Sequence, residues 1–226
     1  MAITDTLYQL LVYGIPLIFA ITLHEAAHGL AAKHYGDDTA YMLGRVTANP
    51  LPHIDLVGTI IVPGILLLGS SLTGMGGVLL GWAKPVPINT RKLNPFRKGM
   101  LMVSLAGPLC NFCQALVWFI FLKAFLNTGV LTQSLLDITV AGIMVNFYLM
   151  AFNLLPLPPL DGGRIVMMLL PYNAAQKYAQ LEQYGMIILV VLILSGFLNY
   201  WMRPFVYVGK NCIFLFCLYS GSTFFF

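Results

Sequence analysis

Runs of Leu, Ile, Val, Phe and Met fill most of this chain, and short polar or proline-rich breaks divide them. A membrane-spanning helix needs about 20 apolar residues, and several runs reach or approach that length. Residues 7–28 predict a first helix, with Pro16 as a place to kink or loosen it. Residues 33–55 form a mixed, polar connection ending in Asn49-Pro50-Leu51-Pro52-His53-Ile54-Asp55. Residues 56–80 are apolar again but carry Pro63 and glycines at 74, 76 and 77. A basic loop covers 81–98, and uninterrupted spans are expected over 100–125 and 135–155. Pro156-Leu157-Pro158-Pro159-Leu160-Asp161-Gly162-Gly163-Arg164 then breaks the helical pattern. Further spans are expected over 185–200 and 205–226, the last interrupted by Lys210. No internal repeat is evident.

Charge settles the class. Only 9% of the 226 residues are charged and 59% are hydrophobic, where a soluble domain is about one quarter charged. The mean hydropathy is +0.83. These values predict an all-α polytopic membrane protein with about five to six transmembrane helices. The chain reads as a single domain, with a core over 7–170 and C-terminal helices over 185–226. The N-terminus lacks the basic region of a cleaved signal peptide. A net charge of +4 does not point to nucleic acid, because the cations gather in one loop.

That loop orients the chain. Lys84, Arg91, Lys92, Arg97 and Lys98 crowd it, which places it on the cytoplasmic side. Residues 127–134 carry no Lys or Arg and fall outside, and the next span returns the Pro-Asp-Gly corner inward. Lys33 and Arg45 put the end of the first helix on the cytoplasmic side too. Both ends of 56–80 then share one side, so a re-entrant segment or short hairpin is expected there. Irregular backbone at that depth must be buried in protein or line a wet cavity.

Within the first apolar run lies His24-Glu25-Ala26-Ala27-His28. Ionisable groups at membrane depth are costly and need a reason. His24 and His28 share a helix face one turn apart, so both imidazoles can reach one metal ion. Glu25 is placed to take a proton from an attacking water. A catalytic zinc uses three protein ligands and keeps one position open. Asp161 is the best third ligand: the prolines end the preceding helix, and Gly162 and Gly163 allow a tight backbone turn that presents the carboxylate from a corner at matching depth. His53, His34, Asp55 and Asp137 are rivals; Asp137 is expected on the outer side, and His53 is the serious one. Cys110 and Cys113 form C-x-x-C inside an apolar helix, where inert packing cysteines are the ordinary reading.

Together these residues resemble the site-2 protease family of intramembrane zinc metalloproteases. HEAAH at 24–28 matches its HExxH, and NLLPLPPLDGGR at 153–164 matches its NxxPxPxLDG motif. Ala106-Gly107-Pro108-Leu109-Cys110-Asn111 resembles the Gly-Pro segment opening another core helix, and 81–89 resembles a loop of compact members. The resemblance covers about residues 15–170 and implies one zinc held by His24, His28 and Asp161, with Glu25 as general base. The chain departs from larger members in lacking a PDZ domain or CBS pair, which marks it as a compact member, and its expected setting is a prokaryotic plasma membrane with the active site toward the cytoplasmic side.

The expected function is hydrolysis of peptide bonds in or near transmembrane segments of membrane protein substrates, with the lipid bilayer as surroundings. Asn111 and Asn153 are candidate donors to the oxyanion or to substrate backbone; Asn146 shares a face with Asn153. Residues 86–89 or 45–49 could pair with an unwound substrate strand. Segments 56–80 and 185–200 are candidate gates. A metal-ion transporter and a non-catalytic zinc-binding scaffold are the alternatives; a diaspartyl protease is disfavoured, because Asp161 has no partner aspartate and GxGD is absent. Natural substrate, regulation and oligomeric state stay open.

Overall fold

A computed structural model describes residues 2–61, 83–128 and 132–219. The expected re-entrant segment over 56–80 falls mostly outside these residues, as does the end of the run over 205–226. The described residues form helices and connections, with no strand among them. Helix α1 is Ala2–His34 and α2 is Thr39–Met42. Short turns cover Leu51–His53, Leu56–Ile61 and Thr90–Lys92. Then follow α3, Phe96–Thr128, and α4, Gln133–Asn153. After the proline corner come α5 (Asp161–Leu169), α6 (Tyr172–Ala179), α7 (Gly185–Leu194) and α8 (Phe197–Tyr219).

Among the described residues, four helical stretches are long and apolar enough to cross a membrane: Leu7–His34, Phe96–Leu126, Gln133–Asn153 and Tyr172–Leu194. The fourth joins α6 and α7 through a tighter turn at Gln180–Tyr184. Helices α1, α3 and α4 pack against one another as the core. Leu122, Leu136, Ile143 and Phe147 are buried between α3 and α4, with Ile213 of α8 closing the cluster. The outer faces are equally apolar: Leu7, Leu11, Ile120, Phe121 and Ile187 are exposed. Polar side chains instead lie inside, among them Thr22, His24, His28, Ser104, Asn111, Thr139 and Asn146. Apolar outside and polar inside is the arrangement that lipid favours, because helices there gain nothing by hiding Leu from hydrocarbon.

Contacts between helices fix their directions. Tyr8 at the start of α1 donates to Asp137 at the start of α4, 2.6 Å away. His24 and His28 meet the first half of α3 instead, at Asn111 and Val103. The HExxH end of α1, the start of α3 and the end of α4 therefore share one end of the bundle. Asp137 sits at the other end, which removes it as a ligand.

The C-terminal boundaries differ from expectation. The predicted span over 185–200 stops at Leu194, and the last helix begins at Phe197 rather than near 205. Gly196 makes the break with a φ of 75°, a left-handed conformation that glycine adopts without a side-chain clash. Trp201 then ties α8 back to α4 through its indole N–H on the Ala151 carbonyl, at 2.8 Å.

Candidate active site

The site is built on the last three turns of α1. At 1.5 Å per residue, His28 and His24 lie roughly 9 and 15 Å back from the helix end at His34. Both are nearly enclosed. His24 Nδ1 faces Asn111 Oδ1 at 2.6 Å. Asn111 Nδ2 faces the Ala20 carbonyl at 3.2 Å and Asn146 Oδ1 at 3.0 Å. A carbonyl only accepts, so the amide nitrogen belongs on that side and the amide oxygen toward His24. His24 Nδ1 therefore carries its proton. His28 Nδ1 donates likewise to the Val103 carbonyl, at 2.7 Å. Both imidazoles are left with a bare Nε2 lone pair, the form that ligates metals.

Those lone pairs converge. The two Nε2 atoms are 3.0 Å apart, and Asp161 Oδ2 is 3.3 Å from each. Asp161 Oδ2 is buried and has no hydrogen-bond partner among the described residues. Three electron-rich atoms facing one another across 3.0–3.3 Å repel unless a cation sits among them. Donors about 2.0–2.2 Å from a tetrahedral zinc stand about 3.3 Å apart, so the three atoms fit that ion. The ligand atoms of His24, Glu25 and His28 also lie within 4.8 Å of one another.

Asp161 reaches this point through the proline corner, but its glycines act differently from expectation. Neither Gly162 nor Gly163 has a positive φ; both are helical. A Cβ on Gly162 would come within 2.3 Å of the Leu154 carbonyl oxygen, and one on Gly163 within 2.3 Å of Pro158 N. They let the start of α5 lie against the corner, and so set Asp161 beside α1. Gly107 performs a similar service on α3: a Cβ there would lie 2.5 Å from His24 Cε1 and 2.6 Å from His28 Cε1.

Glu25 points to an irregular connection. Its Oε2 accepts the Val86 N–H at 2.8 Å. The same stretch is held at both ends: Lys84 N–H donates to the His53 carbonyl (2.9 Å) and Asn89 N–H to Asp37 (2.6 Å). Arg45 donates to the Lys84 carbonyl at 2.7 Å. Pro85 and Pro87 have no N–H, so three of this segment's amides are already committed. That counts against 86–89 as a free edge for an added substrate strand. Residues 46–48 bend, so 45–49 offers no continuous extended edge.

The remaining candidates fall out of the cluster. His34 is exposed and packs its ring edge on Tyr35. Asp55 accepts from Gly58 N–H at 2.7 Å. Asn111 has both amide hydrogens engaged and its oxygen on His24, so it orients a ligand. Asn153 donates to the Leu149 carbonyl of its own helix at 3.0 Å. Sequence reasoning missed the Val103 carbonyl, the Val86 amide and Asp37. Two of these are backbone groups, which carry no side-chain signature.

Comparison with known proteins places the chain in a family. Residues 128–196 match the sequence profile of peptidase family M50. The chain is 37% identical over 204 residues to YwhC of Bacillus subtilis, provisionally named a zinc metalloprotease, covering 88% of this chain and 87% of that one. It is 26% identical over 197 residues to Rip2 of Mycolicibacterium smegmatis, covering 84% and 69%. It is 30% identical over 162 residues to a protein of Methanocaldococcus jannaschii, covering 70% and 72%. Both of these also bear provisional zinc metalloprotease names. No solved structure matches the chain. This helical membrane protein, with its His-Glu-His cluster, is a metalloprotease. It belongs to peptidase family M50, the site-2 protease family.

Proposed function

We propose that this chain is a zinc-dependent intramembrane endopeptidase that cleaves membrane protein substrates in or near their transmembrane segments. One observation carries the reading: His24 Nε2 and His28 Nε2, on a helix apolar enough to span a bilayer, converge with Asp161 Oδ2 to within 3.3 Å of one another. His24, His28 and Asp161 would hold the ion, which when bound supplies Lewis acidity toward a carbonyl and a water. Glu25 accepts the proton of the attacking water and passes it to the leaving nitrogen. Val86 holds the Glu25 carboxylate by one oxygen, leaving the other for that exchange. Asn153 keeps a second amide hydrogen that can meet substrate backbone. A helical substrate has its carbonyls already paired, so helix-breaking residues near the cleaved bond lower the barrier to attack.

Lys33, Arg45, Lys84, Arg91 and Lys92 belong to the HExxH end of the bundle, which supports a cytoplasmic placement of the site. The bacterial and archaeal relatives support a prokaryotic plasma membrane. Transport is not favoured, because the donors meet at one point instead of lining a path in series.

The test is reconstitution in liposomes with a helix-destabilised transmembrane substrate. Wild type should cleave it, chelation should stop cleavage and zinc restore it, and Glu25→Gln should be inactive. Equal cleavage by Glu25→Gln would refute the mechanism.

A further inference from the structure

His53 is left without a duty by the peptidase reading, yet its setting is unusual. It is 2% exposed, and neither ring nitrogen makes a hydrogen bond among the described residues. The Thr47 carbonyl lies beside the ring but outside hydrogen-bond geometry, and a buried imidazole this poorly paired among the described residues needs a cause. The ligand vacancy does not supply one, since Asp161 already completes the trio with His24 and His28.

The main chain around His53 is fixed. It ends the turn Leu51–His53, its N–H donates to the Pro50 carbonyl at 2.9 Å, and its own carbonyl accepts from Lys84 N–H at 2.9 Å. Two residues along, Val86 N–H donates to Glu25. Lys84 and Val86 are two residues apart, so these two amides lie at most about 7 Å from each other. The His53 main chain and the general base are thus held by one short segment. Arg45 binds the carbonyls of Lys84 and, more weakly, Pro85 on that segment. Burial and the Arg45 charge push the His53 pKa down, while Glu25 and the Thr47 carbonyl pull it up by less. The imidazole is neutral at neutral pH, with one N–H to donate.

We propose that His53 is a substrate-binding residue of the active site whose imidazole N–H donates to the scissile carbonyl oxygen as negative charge develops on it. No proton changes hands; the bond strengthens as the oxygen becomes anionic, and it forms only when an unwound substrate lies beside Glu25. The proposal rests on the peptidase reading above.

The full-length protein, zinc-loaded in liposomes, tests this with His53→Ala, His53→Gln and Glu25→Gln. Removing an oxyanion donor costs roughly 10²-fold in kcat. His53→Ala should show a loss of that order with KM within about threefold of wild type. Zinc stoichiometry and thermal unfolding should be unchanged. His53→Gln, which restores an N–H, should recover part of the rate. A peptidyl phosphonamidate, a tetrahedral mimic, should lose affinity in step with kcat/KM. A kcat within about twofold of wild type in both variants would overturn the proposal. So would zinc loss or early unfolding in both, or phosphonamidate affinity that stays constant while the rate falls. Wild-type-like cleavage by Glu25→Gln is a separate failure: it would overturn the peptidase reading and His53's role with it.

Discussion

Substituting Gly107 by alanine should weaken zinc binding without touching any ligand. The added methyl would stand 2.5 Å from His24 Cε1, 2.6 Å from His24 Nε2 and 2.6 Å from His28 Cε1. Ordinary contact begins near 3.4 Å, so each ring must move by 0.8–0.9 Å (3.4 less 2.6 or 2.5) or α3 must retreat. Retreat of α3 is opposed by its own bonds to the same rings, through Asn111 and the Val103 carbonyl. Metal–ligand distances tolerate only about 0.2 Å, so the displacement falls on the site. Overpacking of this kind costs about 1–3 kcal/mol. If that strain is relieved by releasing the ion, zinc affinity falls roughly 5- to 150-fold. The assay is equilibrium competition for zinc against a chromophoric chelator, on detergent-solubilised apo-protein. Gly14→Ala is the control, since nothing lies within 4 Å of its added methyl. Wild-type zinc affinity in Gly107→Ala would refute the claim that α3 is fitted against the two imidazoles.

Three more outcomes follow from the geometry. Asp161→Ala should abolish stoichiometric zinc binding, measured by metal analysis after dialysis; full occupancy would move the third ligand elsewhere. Asn111→Ala removes the acceptor for His24 Nδ1 and should weaken zinc by about 10- to 100-fold, while a detergent melting curve separates this from unfolding. Asp38 and Lys92 form an exposed pair at 2.7 Å, and Lys92 holds the Asp38 carboxyl below the usual carboxylate range. A depressed folded-state pKa stabilises above the unfolded value and is lost as pH falls through the folded one. The melting difference between wild type and Lys92→Met should therefore be small at neutral pH, shrink with salt, begin to fade as pH falls past about 4, and vanish only below the depressed Asp38 value. A difference that persists in acid would show that it comes from something other than the ion pair.

The sequence pattern was most legible where chemistry conflicts with surroundings. Two histidines four residues apart in hydrocarbon have few explanations, and the structure brings them together with Asp161 as the proline corner suggested. The bare lone pairs could not be foreseen, because they depend on Asn111 and on a backbone carbonyl of another helix. The same gap explains Asn111 itself: an intramembrane amide reads alike whether it meets a substrate or a ligand. Gly162 and Gly163 were legible as important and misread in cause, since close approach and left-handed backbone both select glycine. The C-terminal boundaries were misplaced because helices apolar on every side give no periodicity to locate an end. Gly196 supplies the break, and nothing around it in sequence distinguishes it from a packing glycine.

The hydrogen bonds that fix the two imidazoles also impose an order on biosynthesis. Asn111 lies 87 residues beyond His24 and Val103 75 beyond His28, and Asp161 follows later still. A nascent chain that has inserted only α1 holds two unoriented rings and no third donor. The ion can be captured firmly only after α3 has docked and the corner beyond α4 has emerged. On the proposed ligand set, firm metal capture waits for α3 to dock and Asp161 to emerge, so a chain that has inserted only α1 carries no armed hydrolytic centre.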